Sequence, residues 1–148
     1  MKSELLEQLE YDLWAHERWF EVLDQLPFRA DAEKILRHNV RAQGFWLAEA
    51  FGLEYVPAET DVLQSDAREM NRVWQDCFKN CDPEAYCAFQ LDDGSTFFTM
   101  VEEITRHVLN HGTYHRGELR GLCRANGFEG FPETDLMRYF RTARKSGN

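Results

Sequence analysis

The chain has 148 residues, 43% of them hydrophobic and 14% aromatic, which is enough apolar bulk for one packed core and too short for two comfortable ones. A formal charge of −9 excludes a nucleic-acid groove, which needs a concentrated basic face; the one dense basic run, Arg138, Arg141, Arg144 and Lys145, reads as a solvated helix face. The opening Met1-Lys2-Ser3-Glu4-Leu5-Leu6-Glu7 is too acidic and too patterned for a signal peptide, and no apolar run approaches a membrane span. A single cytoplasmic domain over 1–148 is therefore expected, with no membrane and no nucleic acid among its partners.

The first helix is expected from about Ser3 to Gln25. Its apolar stripe, Leu6, Leu9, Leu13, His16, Phe20 and Leu23, steps by threes and fours, and Leu26-Pro27 closes it. A second follows from about Ala32, with Asp31 as cap, to Phe51, where Gly52 supplies the stop. Its stripe is Ile35, His38, Ala42, Phe45 and Glu49. The third starts after Thr60 or Asp61, carries Leu63, Met70, Val73, Trp74, Cys77, Phe78 and Cys81, and ends at Asp82-Pro83. The four cysteines form no C-x-x-C pair and read as reduced core thiols.

The period then changes. Tyr86 to Leu91 alternates loosely, Asp92-Asp93-Gly94-Ser95 is a turn, and Thr96-Phe97-Phe98 is β-prone, together a short hairpin. The fourth helix is expected from about Thr99 to Ala125 on the stripe Val101, Ile104, Val108, His111, His115, Glu118 and Leu122, with Asn126-Gly127 ending it. A short helix over Asp135 to Phe140, capped by Thr134, completes the chain. The fold class is all-α: an up-down four-helix bundle with a short β-hairpin inserted before the fourth helix.

Three of the long helices carry histidine within the stripe. His16 alone reads as a hydrogen-bonded core residue. His111 and His115 are one turn apart, so two imidazoles can chelate one cation from a single helix, and His38 can complete a facial set. Three neutral imidazoles with an open position suit a catalytic zinc or a related transition metal. His107 stands four residues before His111, so a His107–His111 pair is the alternative; His115 is favoured because it continues the stripe. The chain has no H-E-x-x-H, no Glu-x-x-His and no C-x-x-C-H, which disfavours a zincin protease, a di-iron bundle and covalent haem.

The run His107-Val108-Leu109-Asn110-His111-Gly112-Thr113-Tyr114-His115-Arg116-Gly117-Glu118 resembles the signature of the DinB superfamily of damage-inducible bundle proteins. Tyr11-Asp12-Leu13-Trp14-Ala15-His16-Glu17-Arg18 resembles that family's opening helix. His38 falls where its isolated histidine lies, and Thr134 to Phe140 resembles its C-terminal element, so the likeness covers nearly the whole chain. It implies a bundle of the family's own connectivity, a homodimer, and a zinc- or nickel-type ion on His38, His111 and His115. Glu118 departs from the Gln more common at its position, and His16 stands where Asn is common.

Characterised relatives in the superfamily work through low-molecular-weight thiols, so the resemblance implies a metal-dependent enzyme such as a thiol-dependent S-transferase as the expectation. A metal-dependent hydrolase and a non-catalytic, stress-associated protein with a structural metal are the alternatives. His16, His107 and Glu118 are the candidates for proton transfer or for holding a ligand's far nitrogen, and Glu49 is a further carboxylate for that duty. Arg116 reads as a structural ion pair, Tyr114 as core or dimer surface, and Gly112, Gly117 and Gly121 as allowing close approach of helices or room at the metal. Trp14, Trp19, Trp46 and Leu47 exceed one stripe per helix and point to a homodimer.

Overall fold

The computed structural model describes residues 1–54 and 59–145. Helix α1 spans Lys2–Val22 and tightens into a 3₁₀ turn at Leu23–Gln25 before Pro27. Helix α2 is Arg29–Phe51, α3 is Leu63–Asn80 and α4 is Val101–Ala125; strands β1 (Tyr86–Gln90) and β2 (Thr96–Met100) precede α4, and α5 is Leu136–Thr142. The described residues are thus mostly helical, with one two-stranded antiparallel sheet. No helix among the described residues is long and apolar enough to cross a membrane.

Element boundaries follow local chemistry with small corrections. Helix α2 starts at Arg29, so Asp31 is a first-turn acid beside the positive helix end rather than the cap. Gly52 ends it in the left-handed region at φ 61°, as expected. The cap of α5 is Asp135, whose carboxylate accepts from the Arg138 amide, and not Thr134. In the hairpin Tyr86 faces Met100 and Gln90 faces Thr96; the Leu91 amide then donates to the Ser95 carbonyl, closing a turn in which Gly94 takes φ 83°.

Helices α1 and α2 each pack on both α3 and α4, a ring of four around one core. Paired residues give the directions. Lys2 meets Cys81 and Glu17 meets Arg68, so α1 and α3 are antiparallel; Met1 meets Arg106 and Asp12 meets Arg116, so α1 and α4 are parallel. Arg37 meets Asp66 and Gln43 meets Trp74, so α2 and α3 are parallel too. Simple up-down alternation therefore does not hold. Ahead of α3, Glu59 and Thr60 lie back beside Arg41 and Arg37 of α2. The eleven residues between the two helices could reach about 36 Å, roughly twice the 16 Å of three helical turns, which permits the parallel pair.

The core is centred on Trp19, Trp74, Phe78, Leu9, Leu36, Leu47, Met70 and Leu119. Its face on three helices is turned from the expected stripe. On α1, Leu5, Leu9, Asp12, His16 and Trp19 are buried, while Leu6, Leu13, Phe20 and Leu23 are half-buried. On α2, Leu36, Asn39, Gln43 and Leu47 are buried, while His38 and Phe45 are exposed. On α4, Val101, Ile104 and Val108 are buried as expected, but beyond them the face continues through Gly112, Arg116, Leu119 and Cys123. His111, His115 and Leu122 are only half-buried, and Glu118 is exposed. Periodicity counts apolar residues; here polar groups that bond across helices occupy core positions.

Of the four surplus apolar residues two are buried and two, Trp14 and Trp46, are half-buried. Trp19 and Leu47 are core. Trp14 packs on Tyr11 and Tyr139, and Trp46 on Phe89 of the hairpin. All four cysteines are free, Cys123 buried and the others half-buried, with burial pushing their thiols up.

Candidate metal centre

The rotation of the core face places the histidines at the groove where α2 and α4 run antiparallel. His38 projects from α2 on the solvent side of buried Asn39; His111 and His115 project from α4 on the solvent side of buried Gly112 and Arg116. Consecutive helical residues diverge by about 100°, so a buried neighbour sets each histidine at the flank. His38 Nε2 lies 3.1 Å from His111 Nε2, and His115 Nε2 lies 3.2 Å from it. One nitrogen of each ring falls within 4.8 Å of the other two, and the ring planes are tilted by 52°, 68° and 82° to one another.

The donor set fits a transition ion. Two nitrogens each about 2.0–2.1 Å from one ion, at 90–110° between bonds, stand roughly 2.9–3.4 Å apart, the separation found here. Protons alone cannot satisfy the cluster: His111 Nε2 has one in-plane site, either N–H or lone pair, for two facing nitrogens. One cation accepts all three lone pairs. Among the described residues no fourth His, Cys, Asp or Glu joins the group. Burial, with the neighbouring imidazoles of His115, His38 and His107, pulls the His111 pKa down to about 4, so this ring is neutral and ready to ligate at neutral pH.

The other candidates separate. Glu118 is exposed, but its Oε2 stands 3.4 Å from His115 Nδ1, a buried nitrogen with no hydrogen-bond partner among the described residues. A carboxylate there favours the Nδ1–H tautomer and turns the Nε2 lone pair toward the cluster. His107 stays outside the trio, its ring 6.0 Å from that of His111 and 5.0 Å edge-on from Trp46. An aromatic ledge continues from there through Phe89 to Phe97, with Phe45 against Trp46 and 57% exposed. Tyr114, 70% exposed, borders the other side, 5.0 Å from the His115 ring. Glu49 lies three turns from His38, beside Cys87.

His16 is also outside the trio. It is buried with Asp12, Asn39, Gln43 and Arg116, a polar set for which apolar periodicity carries no signal. The Arg116 guanidinium donates to Asp12 Oδ1 at 2.6 Å and Gln43 Nε2 donates to Asp12 Oδ2 at 2.9 Å. Against the cost of burial, the neighbouring His16 ring and the charge and hydrogen bond of the Arg116 guanidinium hold the Asp12 carboxyl well below the usual carboxylate range. Arg116 is therefore the structural ion pair expected of it. Gly112 provides close approach, since a Cβ there would stand 2.6 Å from Asp12 Oδ1; Gly117 and Gly121 have nothing within 4 Å and do not serve that role.

A curated relative, Protein DinB of Bacillus subtilis (strain 168), is 29% identical, the match covering 88% of this chain and 90% of the relative. No family model matches the chain, and no solved structure matches it significantly.

Proposed function

We propose that this chain, a distant DinB-like protein, is a metal-dependent enzyme that acts through a small thiol. One observation carries the reading: His38 Nε2 and His115 Nε2 stand 3.1 and 3.2 Å from His111 Nε2 at a partly exposed site, with no further protein ligand among the described residues. Three protein ligands and one solvent-facing direction is the arrangement of catalytic rather than structural sites. When bound, a zinc- or nickel-type ion supplies Lewis acidity that makes a small thiol or a water nucleophilic at neutral pH. His38, His111 and His115 would hold that ion. Glu118 would keep the His115 tautomer in place, and His107, exposed with its ring 6.0 Å from that of His111, is placed to take a proton from an incoming ligand. His16 is engaged at both ring nitrogens and buried, which disfavours it for proton transfer.

The ring of four long helices supports a four-helix bundle of the DinB kind. A homodimer fits the family and the apolar side chains still exposed, Phe45, Phe98 and Tyr114 among them. A cytoplasmic place and a stress-associated role accompany the same reading.

Elemental analysis of untagged protein tests the metal. Close to one transition ion per chain is expected, lost in His38→Ala, His111→Ala or His115→Ala and kept in His107→Ala. The cobalt-substituted protein, titrated with small thiols near neutral pH, should then develop a thiolate charge-transfer band, because sulfur is a soft ligand. A spectrum that no common thiol perturbs while the metal stays bound removes the transferase reading and moves the hydrolase and structural-metal readings ahead of it.

A further inference from the structure

Each of the three histidines is followed directly by a residue of one buried polar network: Asn39 after His38, Gly112 after His111, Arg116 after His115. The network is anchored on α1. Asp12 binds Arg116 of α4 through one carboxylate oxygen and Gln43 of α2 through the other. His16 Nδ1–H donates to the Asp12 carbonyl at 2.8 Å, which leaves Nε2 to accept from Asn39 Nδ2 at 3.1 Å. Gly112 is bare where the Asp12 carboxylate passes. Two side chains of α1 therefore grip both ligand-bearing helices from behind the imidazoles.

We propose that Asp12 and His16 are positioning residues for the three-histidine centre, setting the rotation of α2 and α4 at which His38, His111 and His115 converge. The proposal rests on the metal-binding reading. Stability alone does not account for the network: a buried ion pair is often matched or bettered by apolar residues of the same volume. Directional bonds do what apolar packing does not. At a side-chain radius of about 5–6 Å, a rotation of about 10° moves an imidazole nitrogen by roughly 1 Å. That is enough to take it out of a coordination shell whose bonds are specified to about 0.2 Å. Asp12 and His16 touch neither ion nor substrate; they act through Arg116, Gln43 and Asn39.

The test compares full-length Asp12→Asn and His16→Gln with Leu5→Ala, a truncation in the same core at the far end of α1. Zinc affinity is measured by competition with a chromogenic chelator, and cobalt coordination by the visible spectrum, under conditions where circular dichroism shows each apo protein folded. Asp12→Asn is expected to weaken zinc binding about 10- to 100-fold and shift the cobalt bands, the effect usual for outer-shell partners of metal ligands. His16→Gln should do the same to a smaller degree. Leu5→Ala should lower the unfolding midpoint and leave affinity and spectrum at wild-type values. If Asp12→Asn does not fold, His16→Gln decides. Wild-type affinity and spectrum in the folded network variants, or an equal loss in Leu5→Ala, overturns the proposal while the metal reading stands. A wild-type protein that takes up no metal overturns both.

Discussion

Alanine substitution at three glycines of one helix should have opposite signs, and the sign is set by the network behind the histidines. In an exposed helix interior Gly→Ala gains about 1 kcal/mol of helix propensity, which is the expectation for Gly117→Ala and Gly121→Ala, where an added Cβ meets nothing within 4 Å. At Gly112 the new Cβ would stand 2.6 Å from Asp12 Oδ1 and 3.1 Å from Arg116 Nη1. An ordinary contact of about 3.4 Å requires the carboxylate to retreat by about 0.8 Å. It cannot do so freely, because Arg116 and Gln43 hold both its oxygens. Overpacking costs about 1–3 kcal/mol, and loosening a buried ion pair adds to it, against the 1 kcal/mol gained. Gly112→Ala should thus be about 2 kcal/mol less stable than wild type and about 3 kcal/mol less stable than Gly117→Ala. With a urea dependence of about 2 kcal/mol per molar, equilibrium unfolding should separate the two midpoints by roughly 1.5 M. A Gly112→Ala midpoint that rises with that of Gly117→Ala would show that the Asp12–Arg116 contact does not constrain this position.

The lowered pKa of His111 makes a second prediction for the metal-free protein. The unfolded chain binds a proton on this ring below about pH 6.5 and the folded protein only below about 4, so stability is full above 6.5, falls between the two, and then levels. At a partly exposed site screening reduces the effect to about 1–2 kcal/mol. Asp12, held below its ordinary range, contributes stability above about pH 4 that is lost at still lower pH. Denaturation midpoints against pH should lose the 6.5-to-4 slope in His111→Gln; an unchanged slope counts against the assignment. Light scattering at micromolar concentration should find a dimer, and a monomer mass removes the homodimer reading.

The elements were legible in the amino-acid sequence alone. Proline and aspartate breaks at Pro27 and Asp82-Pro83, the stop at Gly52 and the Asp-Gly turn at Gly94 are local chemistry, and so they are legible to within a few residues. The spacing of His111 and His115, one turn apart, is likewise a property of a single helix. Three things needed the tertiary structure. The direction of α3 goes with the placement of Glu59 and Thr60 beside Arg41 and Arg37 of α2, which no periodicity encodes. The true buried faces contain Asp12, Asn39, Gln43, Gly112 and Arg116, and such groups enter a core only when partners on other helices satisfy them. That rotation also decided that His38, His111 and His115 open onto a groove while His16 is sealed behind them. An apolar stripe is drawn from side chains one at a time, whereas a polar core position exists only as a pair across two helices.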